Sequence, residues 1–220
     1  EHALCFFTCD LTDGVGSMNA TVENGATCVE DTGIVFDGVD DYVNLADVEL
    51  GGEMTLAFWA KWNTIASWGR LCDFGDTNFG DAQTDNIILT SPAVERRLYL
   101  YTFSGNTFYY TGDGSSEWLT LDTFHHVTAT VTGSTLSMYI DGAWVDDAST
   151  AITVPTMTRK YHWLGGAVYR ADEYLNGAIS SFHHWSRALT SSEVYSLYES
   201  TADSLCPDHP TPAPSPAPTP

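Results

Sequence analysis

Basic residues are scarce in this sequence. Lysine and arginine together number 8 among 220 residues, against 29 aspartates and glutamates, and the formal net charge is −21 at pH 7. A chain this acidic repels nucleic-acid phosphates and anionic lipid headgroups. The charge balance therefore argues against nucleic acid as a partner and favours cations.

Long apolar runs are also missing, since no stretch approaches the length of about 18 residues that a membrane-spanning helix requires. Charged residues make up only 17% of the chain, which is low for a coiled coil or a helix bundle. In contrast, hydrophobic residues reach 43% and aromatic residues 13%, which excludes a disordered protein. We expect a globular, aromatic-rich domain that does not insert into membranes.

The clearest local pattern is a run of alternating apolar residues between Phe124 and Val145. A period of two indicates β-strands, and Asp141-Gly142 between two such runs is typical of a two-residue hairpin turn. This segment predicts a three-stranded antiparallel meander. Further short strands are expected at Ile34–Phe36, Tyr42–Leu45, Met54–Trp62, Arg70–Phe74, Asn86–Leu89, Arg97–Thr102, Tyr161–Leu164 and Ala178–Trp185. Many short strands between polar loops favour a sandwich or barrel.

The end of the chain contains one helix signal and one change of composition. Thr190-Ser191-Ser192-Glu193 matches a capping box and predicts a short amphipathic helix over Ser191–Glu199. Every second residue from Pro210 to Pro220 is proline, which removes alternate backbone donors and favours polyproline II. We therefore predict a folded domain over residues 1–205 and a proline-rich tail over residues 206–220.

Four of the five cysteines lie near the two chain ends and can form two disulfides with three possible connectivities. The sequence does not choose among these connectivities. The pairing Cys9–Cys28 with Cys5–Cys206, which ties the chain's beginning to its end, is weakly preferred. Cys72 lies in an apolar strand-like run and is expected to be a buried free thiol.

Several features indicate a secreted glycoprotein of the extracellular space or cell surface. The chain begins Glu1-His2, as a mature product does after removal of a signal peptide, and Asn19-Ala20-Thr21 is an N-glycosylation sequon. The Ala, Ser and Thr spacers of the tail resemble the glycomodules of plant and green-algal hydroxyproline-rich glycoproteins. This resemblance implies hydroxylation and O-glycosylation of the tail prolines, with mucin-like Ser/Thr glycosylation as the alternative. The expected glycosylation sites are Asn19, Pro210, Pro212, Pro214, Pro216, Pro218 and Pro220.

The order of the strand motifs resembles a known family. The segments GIVFDGVDDYVNL, TLAFWAKW, LTLDTFHHVTATVTGSTLSMYIDGAWV and LGGAVYRADEYLNGAISSFHHWSRALTSSEVYSLY resemble the laminin-G-like, concanavalin A-like jelly-roll domains. The likeness extends roughly from Ala3 to Glu199. It implies an all-β, two-sheet antiparallel jelly-roll sandwich with the final helix at one edge.

Most conspicuous residues of this pattern are expected to be scaffold. Trp59, His126 and Trp185 occupy alternating strand positions and are predicted to pack with satisfied polar tips. Adjacent strand residues point to opposite faces, so neither His125-His126 nor His183-His184 can share one metal ion.

Catalytic motifs are missing from the sequence. Glycosidases on this fold place carboxylates on one strand with E-x-D-x-E or E-x-D-x-x-E spacing, and neither spacing occurs here. There is also no G-x-S-x-G, H-E-x-x-H or phosphate-binding glycine loop. We expect a non-enzymatic protein without an organic cofactor.

A calcium site is the one cofactor that the sequence suggests. Oxygen ligands of the kind that Ca²⁺ prefers are concentrated in one loop, although without a fixed spacing such as that of the EF-hand. A solvated acidic loop explains the same residues, and Ser180-Ser181 stands where the family often has acidic residues. The candidate ligands are Asp73, Asp76, Asn78, Asp81 and Asp85.

Two functions fit these observations. The first is a structural or adhesive subunit of an extracellular assembly, such as a fibre or cell-surface coat, whose tail is a glycosylated connector between copies or to a matrix or wall component. The alternative is a free-standing glycan-binding module, with calcium as a candidate requirement for binding. The aromatic residues in or beside loops that are able to stack on sugars are Trp68, Tyr99, Tyr101, Tyr109, Tyr110 and Trp118. The proline-rich tail favours the assembly role. We expect the tail to dock on Tyr109, Tyr110 or Trp118, because polyproline II docks on aromatic-lined grooves.

Overall fold

A computed structural model describes residues 1–76, 85–105, 107–111, 116–151, 153–169 and 172–206 of the chain. Seventeen strands and one α-helix, α1 (Ser191–Thr201), are found in these ranges. The strands are β1 (His2–Cys5), β2 (Ala20–Glu23), β3 (Thr27–Val29), β4 (Gly33–Asp37), β5 (Tyr42–Leu45), β6 (Glu49–Leu50), β7 (Met54–Thr64), β8 (Gly69–Gly75), β9 (Ile87–Ser91), β10 (Tyr99–Ser104), β11 (Thr107–Tyr110), β12 (Phe124–Val131), β13 (Thr135–Ile140), β14 (Ala143–Ser149), β15 (Met157–Thr158), β16 (Tyr161–Leu164) and β17 (Asn176–Trp185).

The strands form two large antiparallel sheets. The first has the order β14-β13-β12-β7-β17-β4-β3, with β1 also paired to β17, and the second has the order β11-β10-β9-β8-β16-β5-β2. Strands β6 and β15 form a separate small pair. Apolar side chains from both large sheets form one buried cluster between them, so the predicted jelly-roll sandwich is confirmed.

The local turn and capping signals of the sequence have the expected geometry. Strands β12, β13 and β14 form the predicted meander, and both Asp141 (φ 51°) and Gly142 (φ 75°) adopt the left-handed backbone of a hairpin turn. The capping box is also present, because Thr190 Oγ1 accepts from the Glu193 N–H and the Glu193 carboxylate accepts from the Thr190 N–H. Helix α1 continues two residues beyond the predicted end.

Helix α1 covers part of the outer face of the first sheet. The Trp59 ring packs against His126, with centroids 5.2 Å apart, and against Tyr198 of the helix at 5.8 Å. Its Nε1 donates to Thr201 Oγ1 at 2.7 Å. Trp59 and His126 are therefore packing residues, as the sequence analysis predicts. No helix within the described residues combines the length and the apolarity that a membrane span needs.

Two disulfides join the cysteines near the chain ends. Cys5 is bonded to Cys206 and Cys9 to Cys28, which is the weakly preferred pairing, while Cys72 is free and buried. Because β1 pairs with β17, the Cys5–Cys206 bond ties both ends of the described chain to the centre of the first sheet. The proline-rich residues 210–220 lie outside the described residues, so the proposed boundary between domain and tail stays a prediction.

Candidate glycan-binding site

A ladder of aromatic rings lies on the outer face of the second sheet. Alternation along β10 turns Leu100 into the core, as it does Leu98 just before the strand, and turns Tyr99, Tyr101 and Phe103 outward. The antiparallel register places Tyr110 opposite Tyr101 and Phe108 opposite Phe103. The facing rings are 4.9 Å and 5.4 Å apart between centroids. We call Tyr99, Tyr101, Phe103, Phe108 and Tyr110 the aromatic ladder.

A cavity of about 540 Å³ lies over this ladder. Its volume is in the range of protein sites for small organic ligands. Phe108 and Tyr110 are about half exposed, so ring surface is open to a ligand. The residues that line the cavity are Trp68, Arg70, Ile88, Tyr101, Phe103, Phe108, Tyr110, Tyr169 and Asp172.

Trp68 reaches the cavity from a tight turn with a strained backbone. It has a positive φ of 62°, which is uncommon for a bulky side chain, and the Gly69 N–H donates across the turn to the Ala66 carbonyl at 3.1 Å. The indole lies 5.8 Å from the Tyr101 ring, and the Arg70 guanidinium lies 5.7 Å from the indole. Strain of this kind persists where the surrounding structure enforces it and is concentrated at functional sites.

The polar end of the cavity is built around Arg70. The Arg70 side chain is 1% exposed, and its Nη2 donates to Asp172 Oδ2, 102 residues further along the chain. Its Nε lies 3.5 Å from Oδ2 of Asp73, which also accepts from the Val168 N–H at 3.1 Å. Aromatic surface with a few fixed polar groups is the composition expected of a small-molecule binding site.

Burial changes the titration of the groups around the cavity. Complete burial raises the pKa of Asp73 to about 6, although the Arg70 charge and the Val168 N–H lower it. Burial raises the pKa of Asp172 as well, against the lowering effect of Arg70. The pKa of Tyr101 rises to about 12 through burial and the neighbouring tyrosines, so its hydroxyl stays protonated as a donor.

The structure separates the aromatic residues that the sequence analysis grouped together. Tyr101, Tyr110 and Trp68 line the cavity, whereas Tyr109 and Trp118 pack against the core cluster. Of the three proposed docking residues, only Tyr110 therefore faces the cavity. Phe103 and Phe108 were not among the predicted residues. Their spacing in the sequence contained the signal, because Phe103 lies two residues after Tyr101 and Phe108 two residues before Tyr110. Sequence reasoning also missed Arg70 and Asp172, which no local signal connects.

The proposed calcium ligands are only partly described, because Asn78 and Asp81 lie outside the described residues. Asp73 is fully buried beside Arg70, and the Asp85 backbone carbonyl accepts from Arg159 Nε at 2.5 Å. Asp85 Oδ1 accepts from the Gly105 N–H, while Asp76 is exposed. The calcium site stays a prediction.

A different group of carboxylates comes together at the turn after β4. Asp37, Asp40 and Asp41 place oxygen atoms within 4.8 Å of one another. Burial raises the pKa of Asp41, and the charges of Asp37 and Asp40 raise it further, although Asp41 Oδ2 accepts from the Asp37 N–H. This turn, rather than the loop after β8, is where described carboxylates cluster.

We expect Asn19 to carry an N-glycan when the chain passes through a eukaryotic secretory pathway, because this residue is exposed on a loop before β2. Treatment with an N-glycosidase should then lower the apparent mass of the secreted chain. The matched control is Thr21→Ala, which destroys the sequon and should migrate like the treated wild type. Secreted wild type that is insensitive to the enzyme would refute the site.

Comparison with known families identifies the fold. The family model described as the concanavalin A-like lectin/glucanases superfamily (Laminin_G_3) matches residues 37–195. The chain belongs to this family. The resemblance noted in the sequence is thus confirmed, and the matched segment contains every residue that lines the cavity. A comparison with curated protein sequences found no match.

Solved structures with a similar fold have low sequence identity to this chain. Domain 4 of AbnA, an extracellular GH43 arabinanase from Geobacillus stearothermophilus solved with arabinotriose, is 19% identical with a TM-score of 0.71, over 89% of this chain and 96% of that one. A Trypanosoma rangeli sialidase mutant with trans-sialidase activity is 19% identical with a TM-score of 0.66, over 94% of this chain and 33% of the sialidase. The receptor-binding domain of botulinum neurotoxin D is 15% identical with a TM-score of 0.63, over 90% and 52%. At these identities the likeness concerns the fold alone.

Proposed function

We propose that the domain is a non-enzymatic, extracellular glycan-binding module whose site is the cavity over the aromatic ladder. The observation that carries the proposal is the row of outward-facing rings, with Trp68 at its side and the Arg70–Asp172 pair at its end. Aromatic faces bind the apolar faces of sugar rings, while fixed polar groups bind hydroxyls and orient the ligand. The two disulfides support an extracellular location, since such bonds persist in oxidising compartments.

The number of carboxylates that line the cavity favours a binding role over hydrolysis. Glycosidases need two carboxyl groups across the scissile bond. Among the described residues that line the cavity, Asp172 is the only acid, and its Oδ2 accepts from Arg70. The family contains both lectins and glucanases, and the arabinotriose complex of AbnA domain 4 supports a carbohydrate ligand for this fold.

The role as a structural or adhesive subunit of an extracellular assembly is the second proposal. It rests on the proline-rich tail, which lies outside the described residues. Tyr110 is the one proposed docking residue that lines the cavity, and a ladder of this kind suits polyproline as well as sugar. We favour glycan binding because the buried ion pair at the polar end of the cavity can bind sugar hydroxyls. An alanine- and proline-rich segment has few groups that could bind to this pair.

Binding is tested with a glycan array, followed by calorimetry on the strongest ligand. We expect Tyr110→Ala to weaken binding about thirtyfold or more, because a central aromatic contact contributes about 2 kcal/mol or more. Trp68→Gly should lose affinity to a similar degree while the domain stays folded, since glycine adopts the positive φ of this turn without strain.

The matched control is Trp144→Ala on β14, which removes an indole that is 57% exposed and does not line the cavity. This variant should bind like the wild type. Absence of glycan binding, or equal affinity of the Tyr110, Trp68 and Trp144 variants, would refute the proposed site.

A further inference from the structure

Negatively charged groups outnumber positively charged ones at the polar end of the cavity. One guanidinium, that of Arg70, lies between two carboxylates, those of Asp73 and Asp172. Arg70 and Asp73 are essentially buried, and the Asp172 side chain is 11% exposed, so solvent screens these charges less than surface charges. With all three groups ionised, Arg70, Asp73 and Asp172 together carry one net negative charge at this end of the cavity, where Arg70 and Asp172 form part of the lining.

The Arg70 guanidinium also has a terminal nitrogen that is available to bind a ligand. Its Nη1 is buried and has no hydrogen-bond partner among the described residues, although Nη2 of the same guanidinium is bound to Asp172. A buried donor without a partner costs free energy, so a ligand oxygen that accepts from Nη1 makes binding more favourable. Beside it, the Asp172 carboxylate can accept from a ligand hydroxyl.

From these groups we propose that the cavity selects neutral oligosaccharides over sugars that carry a carboxylate, such as sialic or uronic acids. The inference rests on the proposed function and names the ligand class of the same site. A pair of neighbouring hydroxyls satisfies both groups, because one accepts from Arg70 Nη1 and the other donates to Asp172. A ligand carboxylate can only accept, and it meets Asp172 as a like charge beside the buried Arg70 and Asp73 side chains.

The test is a panel of matched neutral and acidic sugars, namely lactose with 3′-sialyllactose, and galactotetraose with tetragalacturonate. Affinities for the full chain are measured by calorimetry at pH 7. We expect the tighter ligand of each pair to be the neutral one, by about tenfold or more, since a like-charge contact of 1.4 kcal/mol corresponds to a factor of ten. This comparison uses the wild type and does not depend on how a variant folds.

Asp172→Asn then tests the residue responsible. The amide keeps an oxygen toward the ligand and removes the charge, so the acidic ligands should gain about tenfold while the neutral ones change little. Glu173→Gln is the control, because it removes the same charge from an exposed neighbour that does not line the cavity. This variant should discriminate like the wild type.

The possible failures are distinguishable. Acidic ligands that bind as tightly as the neutral ones would overturn the selectivity and leave the glycan-binding site standing. Equal behaviour of the Asp172 and Glu173 variants would likewise overturn the assignment of selectivity to Asp172. If no member of the panel or of the array binds, the proposed function and this inference both fail.

Discussion

Acidification from pH 7 to pH 4 is expected to unfold the domain. Three histidines have pKa values well below the ordinary value, because burial disfavours their charged form: about 4 for His126, about 4 for His162 and about 3 for His184. Since these folded-state pKa values are depressed, the unfolded chain takes up protons first as the pH falls. The stability that neutral histidines contribute is therefore complete above about pH 6.5 and is lost below it.

The expected loss is large compared with the total stability. The three histidines together lower the free energy of unfolding by on the order of 10 kcal/mol at pH 3 to 4. Asp73 acts in the opposite direction, because its raised pKa makes the folded state gain roughly 3 kcal/mol over the same interval. The net loss is still comparable to the roughly 5 to 15 kcal/mol that stabilises a typical domain.

Circular dichroism and tryptophan fluorescence between pH 8 and pH 3 measure this transition. His184→Leu is the informative variant, since both ring nitrogens of His184 lack hydrogen-bond partners among the described residues and the substitution removes only a titrating, packed ring. Its acid midpoint should move to lower pH. A wild type that stays folded at pH 4, or a midpoint that does not move in the variant, would contradict the prediction.

Removal of the Cys5–Cys206 disulfide is expected to lower the free energy of unfolding by about 5 kcal/mol. The bond closes a loop with a sequence separation of 201 residues, and the entropy that a cross-link removes from the unfolded chain grows with loop length. The Cys9–Cys28 bond has a separation of only 19 residues, so its loss should cost about 3 kcal/mol.

The measurement is denaturant unfolding of Cys5→Ala/Cys206→Ala and of Cys9→Ala/Cys28→Ala under non-reducing conditions. Each double variant is the other's control, because both remove two sulfur atoms and leave Cys72 in the core. Equal losses in the two variants, or a larger loss for the short loop, would show that the loop entropy of the unfolded chain does not govern these bonds.

Local features of this chain were predictable because their causes are local. The Asp141-Gly142 turn depends on two residues that adopt positive φ, and the Thr190–Glu193 capping box depends on groups three residues apart. The predicted strand over Arg97–Thr102 likewise corresponds to β10, at Tyr99–Ser104. The family pattern then supplied the order of the strands, and hence the jelly roll.

The binding cavity was predictable only in part. Aromatic alternation in the hairpin of β10 and β11 contained the signal for the ladder. It did not show which face of the hairpin points into the core. The register resolves this, since it pairs Tyr101 with Tyr110 outside while Leu100 points inward. A shift of one residue would exchange the two faces, and local sequence does not choose between the two registers.

The tertiary structure alone brought together the charged end of the site. Arg70 and Asp172 are 102 residues apart, and they meet because β8 and the segment before β17 both contribute to the lining of the cavity. The same holds for the Cys5–Cys206 disulfide, which joins distant parts of the chain where β1 lies beside β17. The sequence by itself therefore determined the fold class, the turns and the helix cap, which depend on neighbouring residues. The cavity, its ion pair and the disulfide connectivity depend on contacts between segments that are distant in the sequence, and only the tertiary structure decides these contacts.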